Sequence, residues 1–460
     1  VLERIEIAPM KTVDNTRSVA EVDYRGEVFD VIQDGSDLYT LPQDLPLCVF
    51  VRVHAEASVQ AGLYRGGLTL TAEGYSRTVP VEVRVYGFEL PERSALKVAF
   101  SFFENFYINW YRLTGWTDEQ RLSIYRFLMS YRITPNNIYS REIFPVPELL
   151  AELPGANFAT LGYFASKTPL SDADLDGISK EVGEKLARLK SVGFPDEDIY
   201  LYGYDEFGVQ SVYDRNSARV FSERMFKDYP GIKLMQTSMP MPPFDEYFNV
   251  WVPPIQTFEQ MKPQYRKAGN ELWWYWVSPP KPFPNFDLGH AAFDSRMALL
   301  LGFKYGIEGC LYWSLNREWN ENRQHADAWV SGEKDWEARY LNSFTGKPVS
   351  QCGQGNLTYP GPAGRIWPSI RLENVRDGIE DFNTLALLRT LAMEIRSGRR
   401  PQGGADLEQI DALLAMPGDV VESLWNWTKD PSVLAAYRDR VAQQIEQVLR
   451  AERKRDEPPE

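Results

Sequence analysis

Three cysteines and three histidines are all that 460 residues carry. Cys48, Cys310 and Cys352 are far apart and odd in number, which implies neither a disulfide framework nor a CxxC metal site. Cys310 lies in the apolar run Gly309-Cys310-Leu311-Tyr312-Trp313 and reads as a buried, inert thiol. His54, His290 and His325 stand at no ligand spacing, which argues against a zinc or iron centre; no metal and no cofactor is expected. A run of about 18 apolar residues, the minimum for a membrane-spanning helix, is also missing. Positive charge is scarce: 50 basic against 64 acidic residues leave a net charge of −14. Phosphate binding needs basic residues gathered on one face, and here they are scattered, so no nucleic acid partner is expected. The one dense cluster, Arg450, Arg453, Lys454 and Arg455, reads as a solvated helix end.

Aromatic residues are plentiful: 13 Trp, 24 Tyr and 24 Phe. Padding for a large core explains part of this. The tryptophans also cluster where strands are predicted to end, and flat rings beside carboxylates suit sugars, whose C–H faces stack while their hydroxyls take polar partners.

The chain reads as three parts. Residues 1–91 are all-β: Val79, Val81, Val83 and Val85 alternate with polar residues, the period of a half-buried strand, and Leu47–Val53 and Tyr64–Thr71 repeat the pattern. A small β-sandwich is expected there. In residues 92–398 short apolar strands alternate with helices. The strands are Leu96–Phe103, Ile133–Tyr139, Asn157–Phe164, Asp198–Asp205, Ile232–Ser238, Tyr247–Val252, Glu271–Val277 and Ile307–Leu315. Thr117-Asp118-Glu119-Gln120 has the form of a capping box, and apolar spacing marks helices ending at Gly193 and Gly306. This is the pattern of a (β/α)8 barrel. An open doubly wound sheet is the alternative, weakened by the absence of a Gly-rich turn after the first strand. A polar loop over Asn316–Pro368 is expected above the mouth, a helix over Ser369–Ile395 closes the barrel, and residues 399–460 form a C-terminal helical extension.

Active sites in such barrels lie at the C-terminal ends of the strands. The strand Ile199–Tyr204 runs straight into Asp205-Glu206, the candidate catalytic pair. Asp-Glu also occurs at 118–119, 196–197, 245–246 and 456–457, in each case at a helix start, before a strand or in the tail. Adjacent residues of a regular strand face opposite sides, so both acids reach one site only if the strand ends or bulges, and Gly203 allows it. Adjacency also argues against the usual pair that flanks a glycosidic bond from two strands.

The segments Glu271-Leu272-Trp273-Trp274-Tyr275-Trp276 and Gly306 to Asn316, the run Tyr359-Pro360-Gly361, and Ser369-Ile370-Arg371-Leu372-Glu373 with Arg376-Asp377-Gly378-Ile379-Glu380-Asp381 resemble glycoside hydrolase family 123 and its uncharacterised relatives. The resemblance implies a β-N-acetylgalactosaminidase that works by substrate-assisted retention, the sugar's own acetamido oxygen attacking C1. It casts Glu206 as general acid and then base, protonated near neutral pH, Asp205 as the group that orients the acetamido nitrogen, and Tyr275 as donor to the acetamido oxygen. Bacterial export suits a glycan-degrading enzyme, although no residue shows it.

Further candidates for substrate binding are Trp274 and Trp276, which share one face of their strand while Trp273 and Tyr275 share the other, and the alternation alone does not say which faces in. Trp313 is the candidate sugar platform. Asn316 is read as a sugar ligand or a turn residue, and Trp251 as a rim residue that packs or binds. Glu104, Asn105, Asn136 and Asn137 read as structural, and Arg371, Glu373, Arg376, Asp377, Glu380 and Asp381 as salt bridges around the last helix. The partner expected is an oligosaccharide or glycoconjugate. A glycosidase for another sugar with a separate nucleophile, and a non-catalytic carbohydrate-binding protein, remain the alternatives.

Overall fold

The computed structural model describes residues 4–16, 21–34, 46–206, 213–240, 246–260, 269–277, 279–338, 340–341, 348–349 and 353–456. Its centre is a curled, all-parallel sheet of seven strands: β6 (Lys97–Phe100), β7 (Ala159–Tyr163), β8 (Ile199–Asp205), β9 (Lys233–Thr237), β10 (Val250–Trp251), β11 (Glu271–Tyr275) and β12 (Gly309–Tyr312). Neighbours run in the order β6, β12, β11, β10, β9, β8, β7, with helices on the outside, as in a TIM-like domain. Sequence order is kept around the sheet, and β12 returns to pair with β6.

The place of the predicted second strand is taken by residues 133–139, which form no ladder. Pro135 has no N–H to give, and side chains replace the missing backbone bonds. Asn136 Nδ2 donates to the Phe100 carbonyl (3.2 Å), and the Phe102 N–H donates to the Asn136 carbonyl (2.9 Å). Asn157 Nδ2 donates to the Ser94 and Leu96 carbonyls (2.9 and 3.1 Å). Asn136 is therefore a structural residue, as its sequence context suggests.

Side chains inside the curl form a small cluster of their own, with Phe158, Tyr200, Tyr202, Met235, Val250, Trp273, Tyr275 and Leu311 at its centre. The alternate residues Ile199, Leu201, Leu234, Trp251, Leu272 and Trp274 join the larger core under the helices. The predicted local signals are realised: Thr117 caps the helix Asp118–Ser130 through a complete capping box. Gly306 ends Ala292–Tyr305 in the left-handed region at φ 64°, and Ser369 caps Ile370–Arg396.

Where the sequence suggests a sandwich, the described N-terminal residues form two separate units. β1 (Arg4–Asp14) pairs with β2 (Glu27–Ile32) and β3 (Val49–His54), and β4 (Gly62–Ala72) with β5 (Tyr75–Val85) makes a long two-stranded ribbon. The first sheet takes its fourth strand, β13 (Trp336–Glu337), from the segment expected to be a loop over the mouth. That segment holds the helices Arg317–Asn322 and Ala326–Ser331. It is drawn into the core because Trp319, Trp329 and Trp336 pack around Trp110 and one another. Beyond Arg396 lie the helices Leu407–Leu414 and Pro431–Asp456 with a short hairpin between them. No helix among the described residues is long and apolar enough to cross a membrane.

Candidate active site

Tyr163, Asp205, Thr237 and Tyr275 are the last residues of β7, β8, β9 and β11, so all four stand on the C-terminal rim. Two irregularities turn the right side chains inward. On β8 the register against β9 slips between Tyr202 and Tyr204. Tyr200 and Tyr202 face inside and Tyr204 outside. Had the alternation run on unbroken from Tyr202, Tyr204 would face in and Asp205 out. The bulge at Gly203 reverses the phase and brings Asp205 into the curl. A Cβ at Gly203 would lie 3.0 Å from the Phe248 ring, so the bulge is packed tightly. β7 does the same between Thr160 and Tyr163, through Gly162 at φ 114°.

Glu206, next along, is turned back toward its neighbour by a left-handed backbone, φ 44°. For a residue with a side chain such a conformation costs on the order of 1–3 kcal/mol. Its N–H is held by Thr237 Oγ1 (2.9 Å). Its Oε1 accepts from the Tyr275 hydroxyl (3.1 Å). Asp205 Oδ1 accepts from the Tyr202 hydroxyl (2.7 Å) and the Thr237 hydroxyl (2.9 Å). Burial pushes the Asp205 carboxyl up to about 6; the negative charge of Glu206 adds to this, and the Tyr202 and Thr237 hydrogen bonds oppose it.

Tyrosines wall the pair. Tyr139 packs edge-on against Tyr202 with ring centres 5.7 Å apart, and the Tyr163 and Tyr213 hydroxyls meet at 2.6 Å. Burial, reinforced by the charge of Asp205, holds the Tyr139 and Tyr202 phenols well above their ordinary value, so both stay neutral. The result is an acidic pair in a buried aromatic wall, one carboxyl fixed by two hydroxyls and the other by one. Two carboxyls held side by side in this way have the geometry for proton transfer and for orienting a hydrogen-bond donor. Among the described residues no group of three His, Cys, Asp or Glu is placed to hold a metal ion.

Of the other candidates, the structure brings only some to the rim. Trp273 and Tyr275 face into the curl. Trp274 and Trp276 face out: Trp274 lies edge-on to Phe258 (5.1 Å) and Trp276 to Phe286 (4.8 Å), both fully buried under the helices. Trp251 also faces out, its indole N–H on the Phe248 carbonyl (3.0 Å). These three are core residues, placed there by strand alternation. Asn316 is buried, and its side chain is spent on Phe103: Oδ1 accepts from the N–H (2.9 Å) and Nδ2 donates to the carbonyl (3.0 Å). It ties the end of β12 to the end of β6, which is the turn reading. Trp313, one residue past β12, is half-buried on the rim, its ring close against Gly355, where a Cβ would lie 2.3 Å away. Asp245, half of the nearest rival acidic pair, lies outside the described residues.

Thr237, Tyr202, Tyr139, Tyr163 and Tyr213 are not singled out by the sequence reading. The signal for three of them was present: Tyr139 ends its predicted strand, and Tyr163 and Thr237 each lie one residue before the predicted end of theirs. A cavity of about 1110 Å³ lies at the opposite end, between the first sheet and the N-terminal ends of the barrel strands, lined by Arg52, Tyr131, Arg132, Asn157 and Arg376 among others. Arg52, Arg132 and Arg376 are already paired with Glu6, Glu373 and Glu380, and no catalytic group of the rim reaches it.

Residues 236–388 match the model of the glycoside hydrolase 123 catalytic domain. The matched stretch holds Thr237, Tyr275, Trp313 and Asn316 and begins beyond Asp205-Glu206. It bears out the resemblance and supports glycoside hydrolase activity and a carbohydrate substrate. Among solved structures the chain is similar to a family 123 glycoside hydrolase from Clostridium perfringens, described for glycolipid glycan hydrolysis. Identity there is 12%, the TM-score is 0.65, and 96% of this chain and 85% of that one are covered. At such identity the likeness concerns the fold. A family 39 glycoside hydrolase from Bacteroides cellulosilyticus is more distant, at 12% identity and a TM-score of 0.34 over 82% of this chain and 78% of that one. No curated protein matches the chain.

Proposed function

We propose, from the glycoside hydrolase 123 match over residues 236–388, that this chain hydrolyses 2-acetamido-β-hexosides, N-acetylgalactosides before N-acetylglucosides, with retention through the substrate's own acetamido group. The observation that carries the reading is the asymmetry of the acidic pair. Both hydrogen bonds to Asp205 fall on Oδ1, which leaves Oδ2 for an N–H of the substrate. A donor with that N–H two bonds from its reacting centre is an acetamido sugar. In the first step the acetamido oxygen attacks C1 while Glu206 gives its proton to the departing glycosidic oxygen. Asp205, ionised, holds the N–H and balances the charge that grows on the oxazoline ring. In the second step water attacks C1, Glu206 takes the water's proton, and the ring reopens with the β configuration restored. Tyr275, which rests on Glu206 in the free protein, is within reach to donate to the acetamido oxygen, and Trp313 offers a face for the sugar.

The test is release of aryl alcohol from aryl β-glycosides of N-acetylgalactosamine, N-acetylglucosamine, galactose and glucose. Turnover confined to the two acetamido sugars, and lowered about 10²–10⁴-fold in Glu206→Gln with binding retained, is the expected result. Turnover of galactosides or glucosides at similar rates points instead to a separate nucleophile. Binding without turnover on any sugar points to a carbohydrate-binding protein.

A further inference from the structure

We propose that Thr237 is a positioning residue for both carboxyls, orienting Asp205 and fixing the backbone of Glu206 through a single hydroxyl; the proposal rests on the roles just given to the pair. Thr237 ends β9 directly opposite Asp205 in the register of the two strands, and it is buried. Its Oγ1 has three polar neighbours: the Glu206 N–H at 2.9 Å, Asp205 Oδ1 at 2.9 Å and the Tyr202 hydroxyl at 2.7 Å. Tyr202 in turn lies 2.7 Å from Asp205 Oδ1.

The protons can be counted. The Glu206 N–H can only donate, so Thr237 Oγ1 accepts there. An ionised Asp205 can only accept. Two hydroxyl protons, one on Thr237 and one on Tyr202, are then available, and both are donated to Asp205 Oδ1, at 2.9 and 2.7 Å. Each such bond stabilises the carboxylate over the acid and opposes the burial that pushes the Asp205 carboxyl up. Thr237 thus favours the ion that the acetamido N–H requires, while the same oxygen anchors the left-handed turn that aims Glu206. A β-branched side chain on a strand has few rotamers, which keeps the hydroxyl in place. The other groups facing Asp205 among the described residues are neutral phenols, Tyr139 and Tyr202, with Tyr163 and Tyr213 beside its backbone, and the charged neighbour among them is Glu206.

The experiment compares Thr237→Val, which keeps the shape and removes the hydroxyl, with Thr237→Ser, which keeps the hydroxyl. In Thr237→Val the acid limb of kcat/KM, set by ionisation of Asp205, is expected to move up by roughly one pH unit, the size of one hydrogen bond to an ion. Rates on an unactivated phenyl N-acetylgalactosaminide should fall about 10²-fold, and on the dinitrophenyl analogue, which scarcely needs an acid, much less. Thr237→Ser should keep the wild-type limb. Infrared titration of the Asp205 carboxyl, with Asp205→Asn as the blank, reads the same shift without any substrate; should the Val variant not fold, Thr237→Ala replaces it. An Asp205 titration unchanged in the hydroxyl-free variant, or a Ser variant that behaves like the Val one, overturns the proposal. An upward shift in a protein that hydrolyses no acetamido sugar upholds the effect of Thr237 on Asp205 and sinks the reading of the reaction instead.

Discussion

Asp205 is held where a carboxylate is least comfortable. A carboxyl whose folded pKa, about 6, lies above its unfolded value binds its proton more tightly in the folded protein. It therefore leaves stability untouched below about pH 4, weakens the fold as pH rises through 6, and exerts its full effect above that. Asp205→Asn is expected to abolish turnover and to raise Tm at pH 8 by an amount worth up to about 3 kcal/mol, with the gain gone at pH 4. Differential scanning calorimetry at the two pH values checks it; a gain of equal size at both would mean that charge is not the cause. Asn316 belongs to the same scale with the opposite signature. Asn316→Ala removes two hydrogen bonds to the Phe103 backbone, each worth about 0.5–1.5 kcal/mol. It should lower the urea midpoint and leave KM for aryl glycosides near the wild-type value, whereas a sugar ligand would raise KM.

Two bulged strands decide what the site contains. β7 and β8 each gain one residue against their neighbours, and each bulge lies at a glycine, Gly162 and Gly203. Without them Tyr163 and Asp205 would face the helices. A Cβ at Gly162 would stand 2.4 Å from the Arg141 carbonyl oxygen, at a φ of 114° that side chains avoid. Gly162→Ala is expected to destabilise the protein by more than about 1 kcal/mol, and to lower kcat by displacing Tyr163. Urea unfolding alongside kinetics checks both; an unchanged kcat would show that Tyr163 needs no bulge to do its part. At this scale Gly203 was visible in the sequence as a place where the strand could bulge. The extra residue in β7 was not, since a glycine inside an apolar strand has many uses.

The N-terminal sheet and the barrel are joined by a buried ion pair. Arg371, on the last barrel helix, donates to Asp30 of β2 at 2.8 and 3.0 Å and also to the carbonyls of Phe286, Gly353 and Asn356. Burial works against the guanidinium, yet Asp30 and Tyr359 keep it charged. Removing one partner of a buried pair leaves an uncompensated charge, at about 3–5 kcal/mol. Arg371→Met should therefore unfold at clearly lower urea, and Asp30→Asn paired with it should recover part of the loss; two single variants whose effects simply add would mean that the ions do not interact. From its sequence context Arg371 reads as a salt-bridge residue, away from the chemistry, but its partner in a separate N-terminal sheet lies beyond reach of any local pattern.

What the sequence determined by itself is whatever depends on neighbours along the chain. The alternation of strands and helices, the Thr117 capping box, the glycine stop at Gly306 and the Asp205-Glu206 pair at a strand end are all local, and apart from the second strand each is where the spacing puts it. Tertiary structure decided the rest. Whether Trp274 or Tyr275 faces the site depends on which side of the sheet the helices cover. Whether residues 133–139 join the ladder depends on what Asn136 and Asn157 can reach. Thr237 and Tyr202 acquire meaning only when β8 and β9 lie in register, because a hydrogen bond lasts over about 3 Å of space and takes no account of the number of residues between its partners.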